Sequence, residues 1–344
     1  MSTLEDVASR AGVSKMTVSR VINDSGYVSD VTRDRVNEAI SVLNYRPNMV
    51  AKGLVTKRNN IIAYVTPDIS DPFYNMVVKG VENACSDHGY TAIICDAHNE
   101  QSVTEHINML IDRQIDGAIF HHMAISQEQA DALNAAGVTC VMIDNELDLD
   151  NIYQIESADY VGARMAVEHL LAKGHTKIGC IHGVLSDDDF SESPSYVDTF
   201  QRKIWLERTR GYEAVMNERG IRYRRYYPGC GDTRTSYTLG QTAVVTMQQD
   251  PDPPTALFCQ SDVLALGALS EALEQDIPVP GKIAIIGYDG IDFSMMLYPR
   301  VTTVVQPRYD MGQIAVDVLI RATRNESVPR HTTLAPSLFQ GDTT

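Results

Sequence analysis

At 344 residues, 44% of them hydrophobic and 22% charged, the chain has an ordinary globular composition and more length than one compact core takes up, so two or three domains are expected. No stretch reaches the roughly 18 consecutive apolar residues of a membrane span, the opening Met1–Asp6 has neither the basic nor the apolar region of a secretory leader, and six scattered cysteines without a C-x-x-C pair read as reduced thiols rather than a disulfide frame. The net charge of −16 argues against nucleic acid until it is divided: residues 1–58 hold nine Lys/Arg against six Asp/Glu and the remainder 20 against 39, so any contact with phosphates falls to the N-terminal piece.

In chain order, Thr3 with Asp6 three residues on is a capping-box pattern, and a helix through Val7, Ala8 and Ala11 should stop at Gly12. Ser14 caps a second helix, Lys15 to Asn23, whose Val18, Val21 and Ile22 face the first. A third, Thr32 to Leu43, supports both. Two short helices joined by a tight turn containing Gly describe a helix-turn-helix. After Pro47, Asn48 can cap a short helix to Leu54, too short to stand alone and therefore dependent on a partner surface.

From Ile61 strands and helices alternate. Ile61–Thr66, Thr91–Asp96, Gly117–His121, Thr139–Ile143, Lys177–Ile181, Ala256–Cys259 and Ile283–Tyr288 read as buried strands. Tyr74–His88, Ser102–Arg113 and Asp159–Lys173 read as helices. This is α/β with parallel sheets, in two lobes with a ligand crevice at the carboxyl ends of the strands. The expected division is a helix-turn-helix at 1–46, a hinge at 47–58, and an effector and dimerisation domain at 59–340. Its lobes cover about 59–160 with about 290–325 crossing back, and about 161–289. Gly183 to Lys203, rich in Asp and Ser, reads as a mobile acidic loop. The basic-aromatic run Arg222 to Tyr227 reads as a solvated strand edge. The nine histidines show no zinc-motif spacing, and His121 and His122, adjacent in a strand, should point to opposite faces. No metal site is expected.

Residues 4–24 (LEDVASRAGVSKMTVSRVIND), YRPN at 45–48, PDISDPFY at 67–74, HLLAKGHTKIGCIHG at 169–183, SDVLALGAL at 261–269, IPVPGKIAIIGYDG at 277–290 and PRVTTVVQP at 299–307 follow one another along the chain. In that order they resemble the LacI/GalR family of bacterial regulators. The resemblance implies an N-terminal all-α helix-turn-helix plus a two-lobed domain like type I periplasmic binding proteins. It implies that the second helix enters the major groove, with Lys15, Met16 and Arg20 at base edges and Ser14, Thr17 and Ser19 toward phosphates. Arg20 suits the paired acceptors of guanine; Met16 offers only apolar contact. The family's hinge helices pair in the minor groove, which here involves Asn48, Val50, Ala51 and the wedge position Leu54. Gly53 inside that helix costs about 1 kcal/mol relative to Ala and makes it lean harder on DNA.

For the effector the resemblance points to Asp71, Phe73, Asn145, Arg208, Ser261, Asp262 and Asp289. Phe73 would stack on a sugar ring, and the charged groups would bond its hydroxyls. Three departures stand out: Asn145 where Arg is often found, Ser261 where Asn is usual, and Ala158-Asp159 in place of an Asp-Asn pair. The expected function is a repressor of a carbohydrate-utilisation operon, released from a pseudo-palindromic operator by a sugar. The alternative is a regulator that needs a corepressor, a purine or a phosphoprotein. The expected partners are double-stranded DNA, a sugar effector and a second copy of the chain, with no heptad tail after Pro336 to make a coiled-coil tetramer. No cofactor, no membrane and no enzymatic activity are expected, and the location is cytoplasmic.

Overall fold

The structure, a computed structural model, describes residues 2–46, 58–145, 151–182, 196–229 and 233–344. The chain forms two compact units, Met1–Asn59 and Asn60–Thr344.

The first unit holds three helices: α1 (Leu4–Ala11), α2 (Lys15–Ile22) and α3 (Asp30–Val42). Thr3 and Asp6 close the capping box that starts α1. Gly12 ends it at φ +65°, a conformation that costs glycine no Cβ clash. The Ser14 hydroxyl accepts from the Thr17 N–H and starts α2. The helix α3 begins at the Ser29 cap, two residues earlier than the sequence pattern suggested. Val7, Ala8, Ala11, Val18, Val21, Val36 and Ala39 close the core between them.

In the second unit, lobe 1 contains β1 (Ile61–Thr66), α4 (Tyr74–Asp87), β2 (Thr91–Asp96), α5 (Glu100–Asp112), β3 (Gly117–His121), α6 (Gln127–Ala135), β4 (Thr139–Ile143) and β5 (Tyr153–Ser157). Lobe 2 contains α7 (Asp159–Ala172), β6 (Ile178–His182), α8 (Tyr196–Glu218), β7 (Tyr226–Pro228), α9 (Thr233–Gln248), β8 (Ala256–Cys259), α10 (Asp262–Glu274), β9 (Ala284–Asp289), α11 (Asp292–Met296) and β10 (Thr302–Val305). The chain then returns to lobe 1 as α12 (Arg308–Thr323) and β11 (His331–Leu334), and ends in lobe 2 with β12 (Ser337–Phe339). The sheet orders are β11-β5-β4-β3-β1-β2, all parallel, and β12-β10-β9-β8-β6-β7, parallel except for β12.

Alternation along β1 explains the layering. Ala63 and Val65 face the core under α5 and α6, while Ile62 and Tyr64 face the core under α4 and α12. The helices α4 and α12 cross backbone to backbone. A Cβ on Gly80 would stand 2.1 Å from the Tyr309 carbonyl oxygen, and one on Gly312 would stand 2.2 Å from that of Val77.

The lobe boundaries differ from the expected ones in two places. Residues from about 290 do not cross back, because β10 pairs with β9 in the lobe 2 sheet and the return comes at Arg308. Lobe 2 also runs past 340: Thr343 accepts from Thr302 N and its own hydroxyl donates to the Ile285 carbonyl. The expected loop at 183–203 is helical from Tyr196, since α8 starts there; residues 183–195 lie outside the described residues. The Arg222–Tyr227 run ends in β7, the edge strand of its sheet, in keeping with a strand edge. Five cysteines among the described residues are free and buried. No described helix is long and apolar enough to cross a membrane.

Candidate functional site

In the first unit, α2 is amphipathic in the useful sense. Val18 and Val21 are buried against α1 and α3, so the opposite face is carried outward on a fixed scaffold. Met16 on that face is 66% exposed, and Arg20 is exposed beside it. Lys15 reaches Glu5 at 2.9 Å, a surface pair of the kind worth at most about 1 kcal/mol and readily exchanged for a phosphate or base edge. The hydroxyls are less idle than the sequence suggests. Ser14 and Thr17 lie 3.0 Å apart at the helix start, and the Ser19 hydroxyl accepts from the Asn23 amide. Tyr27, 90% exposed, carries no sequence signal that marks it out. It follows Gly26, whose Cβ position lies 3.7 Å from the Arg20 side chain. Asn48, Val50, Ala51 and Leu54 lie outside the described residues.

In the second unit the expected effector residues come from both lobes. Arg208, on α8 and 4% exposed, is the centre of the arrangement. Its Nε donates to Asp159 at 2.7 Å, and its Nη1 to the Gln260 carbonyl at 2.5 Å and to Asp289 at 3.2 Å. Its guanidinium lies 3.8 Å from the Tyr288 ring centroid. Asp159 opens the segment by which the chain first leaves lobe 1. Gln306, on the segment by which it returns, donates to Asp289 at 2.9 Å. Arg208 therefore ties two interlobe crossings together. Burial disfavours its charge, but Asp159 and Asp289 more than offset that and hold its pKa above the ordinary value. Burial pushes Asp289 up to about 6 even with Arg208 and Gln306 opposing.

A cavity of about 200 Å3 opens between Asp144 and Asn145 of lobe 1 and Asp159 and Ile204 at its other wall; Asn145 is the expected effector residue that lines it, and Arg208 reaches it through its bond to Asp159. Lys203 closes one side with a 2.6 Å ion pair to Glu156 across the lobes. The Asn145 amide donates to the Met123 carbonyl. Phe73 is 7% exposed, and its ring lies parallel to that of His122, centroids 5.6 Å apart. The Asp71 carboxylate accepts from the Phe73 N–H at 2.8 Å and so shapes the turn that presents the ring. Ser261 accepts from Leu264 N as the cap of α10. Trp205, near the cavity in sequence, is buried in the lobe 2 core.

Asp262 is fully buried, and both its oxygens are spent inside lobe 2, one on Ile291 N at 2.8 Å and one on Thr303 Oγ1 at 2.5 Å. The structure thus gives it a tether of the loop after β9, not a face on the cavity. Burial, with Asp289 adding, pushes Asp262 up to about 7, while the hydroxyls of Thr303 and Ser294 and the Ile291 N–H oppose. Arg308 is the facing cation. The folded state holds this proton above the pH at which the unfolded chain releases it. The resulting stabilisation is complete below the ordinary carboxylate range and is lost as pH rises through about 7, by about 1.4 kcal/mol per pH unit between the two. Asp262→Asn should therefore gain melting temperature relative to the parent as pH rises across that window, while the raised Asp144, Asp159 and Asp289 and the lowered His121 and His122 act alike in both proteins. Parallel pH profiles of the two proteins would contradict this.

One expectation is overturned. His121 and His122 do not point to opposite faces: their ring centroids are 4.4 Å apart. The strand ends at His121, and His122 takes φ +50°, which breaks the pleat and swings its ring back beside its neighbour.

Residues 3–48 match the family model of bacterial regulatory proteins, lacI family, and residues 167–344 that of the periplasmic binding protein-like domain. The chain is 33% identical over 330 residues to catabolite control protein A of Priestia megaterium, covering 95% of this chain and 94% of that one. It is 31% identical over 344 residues to the ribose operon repressor of Escherichia coli (strain K12), covering 99% of each. The solved structure of the lac repressor dimer bound to operator and the anti-inducer ONPF superposes with a TM-score of 0.80 at 26% identity, covering 99% of this chain and 98% of that one.

Proposed function

The chain belongs to the lacI family of bacterial regulatory proteins, and from that premise we propose that it represses a carbohydrate-utilisation operon in the bacterial cytoplasm, as a dimer whose grip on a two-fold symmetric operator is released by a sugar held beside Arg208. The observation that carries the reading is the contrast along α2. Val18 and Val21 are locked into the core while Lys15, Met16 and Arg20 stand clear of it. An eight-residue helix so presented fits a major groove, where its side chains can reach base edges.

Support for the sugar comes from two sides. The ribose operon repressor is named for a sugar operon, and the cavity lines its walls with the carboxylates Asp144, Glu156, Asp159 and Glu207, the Asn145 amide, Lys203 and the Tyr160 ring, a set of donors and acceptors suited to sugar hydroxyls. Support for a dimer comes from Phe293, Met296, Leu297 and Tyr298, which expose a contiguous stretch of apolar side chains on and after α11. The lac repressor in the matched structure is itself a dimer on operator. The chemistry is binding and release, with no catalytic step assigned to any residue.

Selection of duplexes from a random pool tests the reading. The expected product is one site with two symmetric halves. Arg20→Ala should flatten the preference at one base pair in each half, costing about 1–3 kcal/mol there, while leaving non-specific affinity and its salt dependence nearly intact. Selection of no symmetric site would contradict the proposal. The sign of the ligand effect on operator affinity separates release by an inducer from a requirement for a corepressor.

A further inference from the structure

We propose that His121, His122 and Asp144 form a three-donor site for a divalent transition-metal ion of the zinc class in lobe 1. The three donor atoms lie within 4.8 Å of one another, and all three side chains are buried. His121 Nε2 and His122 Nε2 stand 3.9 and 3.8 Å from the same oxygen of Asp144. Those separations are too long for hydrogen bonds. They lie within the span of about 4.2 Å that two donors on one ion can reach with bonds of 2.0–2.2 Å, and the cluster draws together toward about 3.4 Å when the ion is tetrahedral.

The rings are already oriented as ligands are. Tyr64 Oη lies 2.6 Å from His121 Nδ1, and Tyr74 Oη lies 2.9 Å from His122 Nδ1. A phenol can donate or accept, so each Tyr fixes the Nδ1 side of its ring and lets Nε2 carry the lone pair, the outer-shell arrangement of metal-bound histidines. His121 Nε2 is buried with no hydrogen-bond partner among the described residues, a state that calls for an occupant. The charges acting on Asp144 are those of Asp159, Glu156 and Arg208, two carboxylates against one cation, and Asp71 acts on Tyr64. Two imidazoles and one carboxylate suit Zn2+, Co2+, Ni2+ or Fe2+ over Ca2+ or Mg2+. Three protein donors leave at least one coordination position, and Asp144 borders the interlobe cavity from which a hydroxyl or carboxylate of a ligand would fill it.

The inference stands apart from the sugar reading, because its test needs neither operator nor sugar. Full-length protein stripped with a chelator is titrated with Co2+ and followed by visible absorption, then by displacement with Zn2+. One Co2+ per chain is expected, lost in His121→Ala and in Asp144→Ala, and unchanged in His88→Ala, a surface histidine that pairs with Asp317. Tyr64→Phe and Tyr74→Phe, which keep the packing and remove one hydroxyl each, should weaken Co2+ binding by about 10- to 100-fold. They serve as the test if His121→Ala does not fold. Absence of uptake by the parent protein, uptake abolished by His88→Ala but not by His121→Ala, or Tyr64→Phe and Tyr74→Phe titrating like the parent would each overturn the site.

Discussion

Replacing Arg208 with alanine is expected to lower the stability of the Asn60–Thr344 unit by about 3–5 kcal/mol and, in the same protein, to abolish the response of operator binding to ligand. The stability loss follows from what stays behind. Asp159 and Asp289 are buried carboxylates whose ionised forms rely on the guanidinium, and the Gln260 carbonyl loses its donor. Both carboxylates can escape by taking a proton, since burial already raises their pKa values. The loss should therefore be smaller near pH 5 than near pH 8 (roughly one side and the other of the Asp289 range).

A second variant separates structure from signalling. Arg208→Met combined with Asp159→Asn and Asp289→Asn removes both orphaned charges and should recover much of the melting temperature, because buried ion pairs replaced by matched neutral groups are often no less stable. It should not recover the ligand response, because Arg208 is also the group through which the two interlobe crossings are joined. A ligand can shift the equilibrium only if it binds the two interlobe arrangements with different affinity. A triple variant that responds normally to ligand would remove Arg208 from the switch, leaving it a structural ion pair.

The second large effect is expected at Arg308, which reaches across the lobes. It is the first residue of α12, whose remaining turns pack in lobe 1. Its Nη1 donates to the Pro72 carbonyl at 3.1 Å and the Phe73 carbonyl at 3.3 Å in lobe 1, while its Nη2 donates to the Gly290 carbonyl and approaches Asp292 at 3.6 Å in lobe 2. Burial lowers its pKa, with Asp289 and Asp292 opposing. Arg308→Ala leaves several carbonyl oxygens without their charged donor, and hydrogen bonds to charged groups are worth about 1.5–3 kcal/mol each. A loss of about 3 kcal/mol or more in thermal stability is expected, together with faster amide exchange around residues 72–75 and 290–292 than elsewhere in either sheet. Arg308→Lys keeps the charge but not the fork that serves both lobes at once, and should recover only part of the loss. Uniform exchange rates and an unchanged melting temperature in Arg308→Ala would show that the lobes are held together by other contacts.

These two arginines mark the limit of what the sequence shows. Local chemistry was legible. Thr3, Gly12 and Ser14 bound their helices as capping rules require, and the Val/Ile-rich runs at 61–66, 117–121 and 139–143 are strands to the residue. Tyr153–Ser157 (β5) and Thr302–Val305 (β10) were not legible, because YQIES and TTVV lack the apolar run of β3 and β4 and take their place from their neighbours. The site was readable as a set of residue types, and Arg208 and Asp289 do meet. Their partners were not, since Asp159, Gln260 and Gln306 come from three separate segments joined only by the fold. Asp262 sits one residue inside a helix start that faces the cleft in sequence terms, yet the loop after β9 takes its carboxylate inward. The pairing of His121 with His122 depends on a positive φ at a non-glycine residue, for which the sequence carries no mark.

The most direct test is an operator titration on the selected symmetric duplex, at fixed salt, with and without a sugar that raises the melting temperature of the protein. Ligand should change the operator dissociation constant at least about tenfold in the parent protein, a coupling of about 1.4 kcal/mol, and not at all in Arg208→Ala. A sugar that binds beside Arg208 yet leaves operator affinity unchanged in the parent protein would contradict the account.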